Sequence, residues 1–515
     1  MKLPLFYILF STICFAANAQ HQNILISSNN FPNEPSIAIN PRNTNELVAG
    51  ANIDNYYFST DAGQTWTEGT LTSSFGVWGD PVIACDTTGS FYFFHLSNPP
   101  SGNWIDRIVC QRTSSPGGIW NNGSLTGLNG TKAQDKHWVT IDRETNIIYM
   151  TWTEFDDYGS SDPADSSRIF FTKSSDQGQT WNTPVKINQV SGDCIDQDNT
   201  VEGAVPALGP NGEIYVSWAG PAGLVFDKSI DGGTTWLSQD IFVDPMPGGW
   251  DFAIPDIYRA NGLPVTTCDT SGGINHGTIY INWSDQRNGT GNTDIWLVKS
   301  TDGGNTWTTP TKVNDDLTTR QQFFTWMTID QTNGTLWFVF YDRRNYSDTR
   351  TDVYMARSTD GGITFQNFKI SDTPFIPDAG VFFGDYTNVT AHDNIIRPIW
   401  TRLDNNQLTI WTSLINTTWL GENETDDDQS PVLEQNFPNP FNNQTSFSFK
   451  LHQEEIISLK IFDFTGRVVE ILINDKEFGF GKHVVTFPLD LSQGTYFYEL
   501  KAGENLMRRK MIVID

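Results

Sequence analysis

Short runs of apolar, β-branched and aromatic residues, punctuated by Gly, Asn and Asp, recur from about residue 35 to residue 415. Each period opens with an apolar segment such as "PSIAIN" (35–40), "HWVTID" (137–142) or "TWMTID" (325–330). A Gly/Asn turn follows, then a run ending in aromatics: "IYMTWTE" (148–154), "IYVSWAG" (214–220), "IYINWSD" (279–285) or "LWFVFYD" (336–342). A third segment ("RIFFTKS", "DIWLVKS", "DVYMARS") leads into a polar octet, and a fourth ("PVKIN", "PTKVN", "FKIS") leaves it. Runs of this length and composition between turn residues are strands. Four strands per period predict one blade of a propeller.

The octet sets the register. Good copies span Ser59–Trp66, Ser174–Trp181, Ser229–Trp236, Ser300–Trp307 and Ser358–Phe365, and a worn one, "SSPGGIW", ends at Trp120. Their terminal aromatics stand at Trp66, Trp120, Trp181, Trp236, Trp307 and Phe365, 54 to 71 residues apart. A seventh period without the octet follows as "NVTAHD", "IRPIWTR" and "LTIWTSLI", from Asn388 to Ile415. Its missing strand is expected from "NILIS" near the mature N-terminus, which would close the ring and remove exposed sheet edges. The expected fold is an all-β, seven-bladed propeller over residues 20–420, with six blades as the alternative if the last module packs outside the ring.

Both ends differ from this pattern. Lys2, an apolar run from Leu3 to Phe15, and Ala17-Asn18-Ala19 read as a signal peptide over 1–19. The run falls short of the roughly 20 residues a spanning helix needs, so no transmembrane anchor is expected. "GENETDDDQSPV" opens an acidic linker, 421–431, and residues 432–515 alternate strands and turns as a small β-sandwich.

Composition narrows the partners. A net charge of −28 repels nucleic acid and anionic surfaces and suits an exported monomer. Cys85, Cys110, Cys194 and Cys268 remain after signal cleavage; they allow three disulfide pairings or none, and spacing does not choose.

Two resemblances enter here. The octet, S-x-D-x-G-x-T-W, resembles the Asp box, or BNR repeat, of the sialidase-like propellers. "NFPNPF" (436–441), "FDFTGR" (462–467), "LSQGTYFYEL" (491–500) and Lys510 resemble the C-terminal sorting domain of the type IX secretion system of Bacteroidetes. The second implies recognition by the outer-membrane translocon and a secreted or cell-surface destination. The first implies a protein directed at an extracellular glycan or glycoprotein.

Loop polarity locates the candidate chemistry. The octet joins the third and fourth strands at the lower rim, once per blade, whereas a reacting group is wanted once, near the axis; it reads as turn chemistry. The opposite, upper face carries charged clusters. The sialidase resemblance would assign Arg287, Arg343, Arg344 and Arg402, with Asp342 and Asp385, to binding an acidic sugar. It would assign Asp80 or Asp285 as proton donor and Tyr341 or Tyr386 as nucleophile. Ahead of the first octet, however, "NEPSIAIN" offers Glu34 where such relatives place an arginine. A non-catalytic, lectin- or adhesin-like propeller is therefore carried as the alternative. Asp193, Asp196, Asp198 and Glu202 in "GDCIDQDNTVEG" are hard oxygen donors at close spacing, candidates for a structural Ca²⁺; no other cofactor is expected.

Overall fold

The computed structural model describes residues 21–415, residue 417 and most of 431–514, with 434, 437, 452, 453, 464, 465, 480, 490 and 504 aside. The signal peptide (1–19) and residues 421–430 of the linker lie outside the described residues. The chain divides into two compact units, Met1–Asn416 and Thr417–Asp515.

The first unit is a propeller of seven four-stranded antiparallel sheets, with one additional two-stranded hairpin, Asp251–Phe252 with Ala260–Asn261. The innermost strands are Ser36–Ile39, Gly79–Cys85, Ala133–Ile141, Glu202–Leu208, Val265–Cys268, Gln322–Asp330 and Asn388–His392. They pack side by side in a closed cycle, blade 7 against blade 1. Blade 7 takes its outer strand from the N-terminus, Gln22 pairing with Leu414 and Ser27 with Ile410. Second strands are buried on both faces, which explains their almost unbroken apolar sequence. Trp152, Trp218, Trp283 and Trp400, one from each of four such strands, are fully buried.

The five good octets each close a blade at its lower rim by the same hydrogen bonds. The box serine Oγ accepts the N–H of the glycine four residues on (Gly63, Gly178, Gly233, Gly304, Gly362) at 2.9–3.0 Å. The threonine hydroxyl donates to the aspartate at 2.6–2.7 Å. The glycine adopts a positive φ, and at Gly233 and Gly304 a Cβ would collide with the ring of Phe171 or Phe226 in the preceding blade. Trp236 and Trp307 pack edge-on to those same rings at 5.0 Å. The box therefore also forms the seam between blades.

The four cysteines are free, and Cys110, Cys194 and Cys268 are buried. In the second unit, a three-stranded and a four-stranded sheet enclose Phe447, Phe449, Leu459, Ile461 and Leu500. Asn436, at the head of the "NFPNPF" segment, donates its backbone N–H to Tyr498 Oη at 2.8 Å and its amide to Thr445 Oγ1 at 3.0 Å.

Candidate functional site

The inner strands do not begin as regular strands. Register shifts fall between Gly79 and Val82, Asp135 and Trp138, Glu202 and Val205, and Phe323 and Trp326. Asp80, Lys136, Gly203 and Phe324 occupy these bulges with φ of 50°, 46°, 77° and 51°, and Glu34 stands at 51° just before the inner strand of blade 1. A non-glycine residue held at positive φ stores on the order of 1–3 kcal/mol and marks a place where the backbone is bent to aim a side chain. Here the aim is the upper mouth of the axis.

Charges from six of the seven inner strands or their approaches meet there. Lys136 Nζ lies 3.2 Å from Asp80 and 3.2 Å from Asp385. Arg259, carried by the segment joining blades 4 and 5, grips Asp385 through Nε (3.0 Å) and Nη2 and reaches Asp196 at 2.9 Å. Tyr158 Oη donates to the same Asp196 at 2.6 Å. Glu34, Asp135 and Glu202 complete the cup and are buried. Glu34 accepts from Asn52, while its Oε1, the Oε1 of Glu202 and the Tyr386 hydroxyl are buried without a hydrogen-bond partner among the described residues.

This environment drives the carboxyl groups apart. Burial alone would raise Asp80, but the Lys136 ammonium and hydrogen bonds from Asp135 and Glu34 hold it down to about 2. Asp385 is also lowered, because Arg259 and Lys136 outweigh its burial. Burial, together with the Asp80 and Asp196 charges and against Lys136, pushes Asp135 up to about 8. Burial and neighbouring carboxylates raise Glu34 and Glu202 well above the usual range. Groups able to donate a proton at neutral pH thus stand beside permanent carboxylates, the division of labour that acid–base chemistry requires.

Aromatic rings bound the cup above and below. Trp78, Trp104 and Tyr158 form an edge-to-face chain on its outer side at 5.9 and 5.6 Å, and Trp78 and Trp104 are exposed. Arg259 lies over Phe382, which meets the exposed Tyr258 at 5.9 Å. Beneath, Trp138 of blade 3 and Trp326 of blade 6 meet across the axis with centroids 4.3 Å apart, and Tyr386 packs on Trp138 at 5.2 Å. The space beside Lys136, Asp385 and Tyr386 is about 30 Å³, room for one or two waters. Below the aromatic plug, an axial channel of about 870 Å³ is lined by all seven blades.

Of the residues singled out in the sequence, Asp80, Asp385 and Tyr386 are brought together, joined by Asp196 and Glu202 of the acidic loop. The remaining candidates are not. Asp285 is buried under Arg287, which also binds Asp244 at 2.8 Å. Asp342 accepts from Arg344, which also binds Asp315 at 2.5 Å and Asn367 at 3.2 Å. Arg402 pairs with Asp404 at 2.9 Å and Thr373, and Tyr341 donates to the Thr401 carbonyl at 2.7 Å. Arg343 is buried apart from them. These arginines knit loops within or between neighbouring blades, so the expected arginine cluster does not form: carboxylates two residues away in the chain capture three of the four.

The acidic loop also disperses. Asp193 accepts from Thr200 and Ile195, Asp198 from the Asp251 N–H, and Asp196 from Tyr158 and Arg259. Among the described residues no group of three or more His, Cys, Asp or Glu side chains is placed to hold a metal ion. Sequence reasoning missed Lys136 and Arg259 as the cup's cations. Lys136 had a signal, since it aligns with Asp80 at the start of an inner strand; Arg259 had none, because its segment has no counterpart in the repeat.

Comparisons with known proteins bear on both units. Residues 435–514 match the secretion system C-terminal sorting domain, and residues 57–68 match the BNR/Asp-box repeat. The chain thus carries the type IX sorting tail of a protein delivered to the cell surface or beyond. Among the described residues no helix is long and apolar enough to cross a membrane. No curated protein matches the sequence. Similar solved structures include a Hadza microbial sialidase (14% identity, 72% of this chain and 74% of that one, TM-score 0.42). Others are the NanB sialidase of Streptococcus pneumoniae (9%, 72% and 84%, 0.43) and an α-L-arabinanase of Penicillium chrysogenum (16%, 65% and 97%, 0.39). At such identities the sheets themselves remain the basis of the fold.

Proposed function

We propose that the chain is an extracellular glycan-directed propeller and that its upper cup is the site of glycoside hydrolysis. The observation that carries the reading is the pair of low-pKa carboxylates, Asp80 and Asp385, bridged by Lys136 beside the proton-holding Asp135 and Glu34. In this reading Asp135 protonates the leaving oxygen, and Asp80 stabilises the developing positive charge on the sugar ring or activates water. The exposed Trp78 and Trp104 offer flat apolar faces for adjoining sugar units. A cup this rich in carboxylates favours a neutral glycan over an acidic sugar, and an exo-sialidase activity lacks the arginine cluster that would hold its substrate's carboxylate.

The second reading, a lectin-like propeller that binds without cleaving, is favoured by one observation: Arg259 already occupies Asp385 and Asp196. A panel of fluorogenic neutral glycosides and sialosides on the full chain separates the two. Hydrolysis that falls at least about 100-fold in both Asp80→Asn and Asp135→Asn, with Arg287→Ala retaining it, supports the enzyme. A silent panel with binding on a glycan array supports the binder. Neither cleavage nor binding refutes both.

A further inference from the structure

Arg343 is the exception among the upper-face arginines. Arg259, Arg287, Arg344 and Arg402 each hold a carboxylate in an ion pair, whereas Arg343 has none among the described residues. Its side chain is fully buried. Nε donates to Thr351 Oγ1 at 3.0 Å, and the guanidinium lies over the Phe323 ring at 5.2 Å. Nη1 and Nη2 are both buried without a hydrogen-bond partner among the described residues.

A second cation adjoins it. The backbone N–H of Arg343 bonds the Gln321 carbonyl at 3.1 Å, which brings the segment bearing Arg320 against it. Arg320 donates Nη2 to the Asp348 carbonyl at 2.6 Å and leaves its own Nε buried and, among the described residues, unpartnered. Burial and the Arg320 charge press the Arg343 guanidinium down to about 10, which still leaves it charged at neutral pH. The carboxylates in its field are elsewhere engaged or exposed: Asp348 pairs with Arg350 at 3.0 Å, and Asp256 lies on the exposed turn between blades 4 and 5.

A buried charge without a counter-charge is strongly destabilising, and the Arg320 charge in its field compounds the cost. The four N–H groups of Arg343 Nη1 and Nη2, with the Nε–H of Arg320 beside them in the chain fold, are unused donors suited to an anion. We propose that Arg343 and Arg320 together bind a small inorganic anion of chloride size, which ties the loop after the second strand of blade 6 to the segment entering that blade. Full burial of Arg343 excludes an anionic group attached to a sugar or a peptide. The site is independent of the cup and of the hydrolysis proposed for it.

Crystals of the full chain grown in bromide test this directly. An anomalous peak within hydrogen-bond range of Arg343 Nη1 and Nη2 is expected. Waters alone there, or the Asp256 carboxylate swung onto Arg343, overturn the proposal. In solution, chloride should raise Tm above that in gluconate at equal ionic strength. The difference should vanish in Arg343→Met and shrink in Arg320→Gln; an equal chloride shift in all three proteins overturns it. If Arg343→Met does not fold, the bromide peak in the native protein decides alone.

Discussion

Lys228 reaches across a blade boundary and sets its Nζ 2.6 Å from the carbonyl oxygen of Gly303 in the next octet. Lys173 does the same to Gly232 at 2.7 Å, and Lys299 to Gly361 at 2.6 Å. In each case the lysine stands immediately before the serine of its own octet, so one box grips the next around the ring. Lys228→Met keeps the stem and removes the donor. It should lower stability by about 1–2 kcal/mol, read as a fall in urea midpoint at unchanged slope. An unchanged midpoint would show that water replaces the ammonium at no cost.

The serine of the octet should matter more. Ser300 is buried, accepts the Gly304 N–H at 2.9 Å and donates to Asp302 at 2.8 Å. Ser300→Ala strands the glycine N–H in a dry turn, a loss of about 1–3 kcal/mol. Thermal denaturation of Ser300→Ala beside Ser300→Thr checks this, since threonine restores the oxygen and should recover part of the loss.

Much of this architecture was legible because it repeats. The octet needs Gly, Ser, Asp and an aromatic in each copy to satisfy one turn and one seam, so register and loop polarity could be read along the chain. The cup was legible only in part. Asp80 and Lys136 sit in bulges and Glu34 at a positive φ just ahead of its strand; a bulge shifts register by a residue and is silent in strand periodicity. Arg259 comes from a non-repeating segment. The arginines next to the strand ends misled because residue type alone does not say whether a neighbouring carboxylate has already claimed the guanidinium.

Arg287→Ala distinguishes those two fates. Arg287 satisfies Asp285, which is fully buried, and Asp244, which is nearly so. Removing it leaves two buried carboxylates facing each other and should destabilise the protein by roughly 3–5 kcal/mol. Any glycosidase activity measured well below the lowered Tm should be unchanged. A selective loss of kcat in a still-folded protein would return Arg287 to the site.

The aromatic plug should be a stability element of similar weight. Trp138 is buried against Trp326 and Tyr386, between the cup and the axial channel. Trp138→Ala should cost about 3–5 kcal/mol and abolish the near-ultraviolet dichroism of the tryptophan pair. Trp138→Phe should recover much of the stability but not that signal. Equal losses in both variants would mean that ring stacking, rather than volume, holds the axis.

Asp227 offers a pH test apart from the coupled cup. It is fully buried in the third strand of blade 4; Oδ1 accepts from the N–H groups of Lys228 (2.6 Å) and Leu237 (3.0 Å), and Oδ2 has no partner. Burial, opposed by those two bonds and the Lys228 charge and aided by Asp240, pushes its carboxyl up to about 7. A folded value above the unfolded one means the protonated acid favours the native state. Its contribution is therefore complete below about pH 4, declines as pH rises toward 7, and is gone above. Asp227→Asn, which cannot ionise, should escape that decline. The Tm difference between variant and native protein should grow in the variant's favour from pH 4 to 7, by on the order of a few degrees, and level off beyond. A difference that stays flat from pH 4 to 8 would mean that Asp227 ionises in the fold as readily as in the unfolded chain, with water reaching Oδ2.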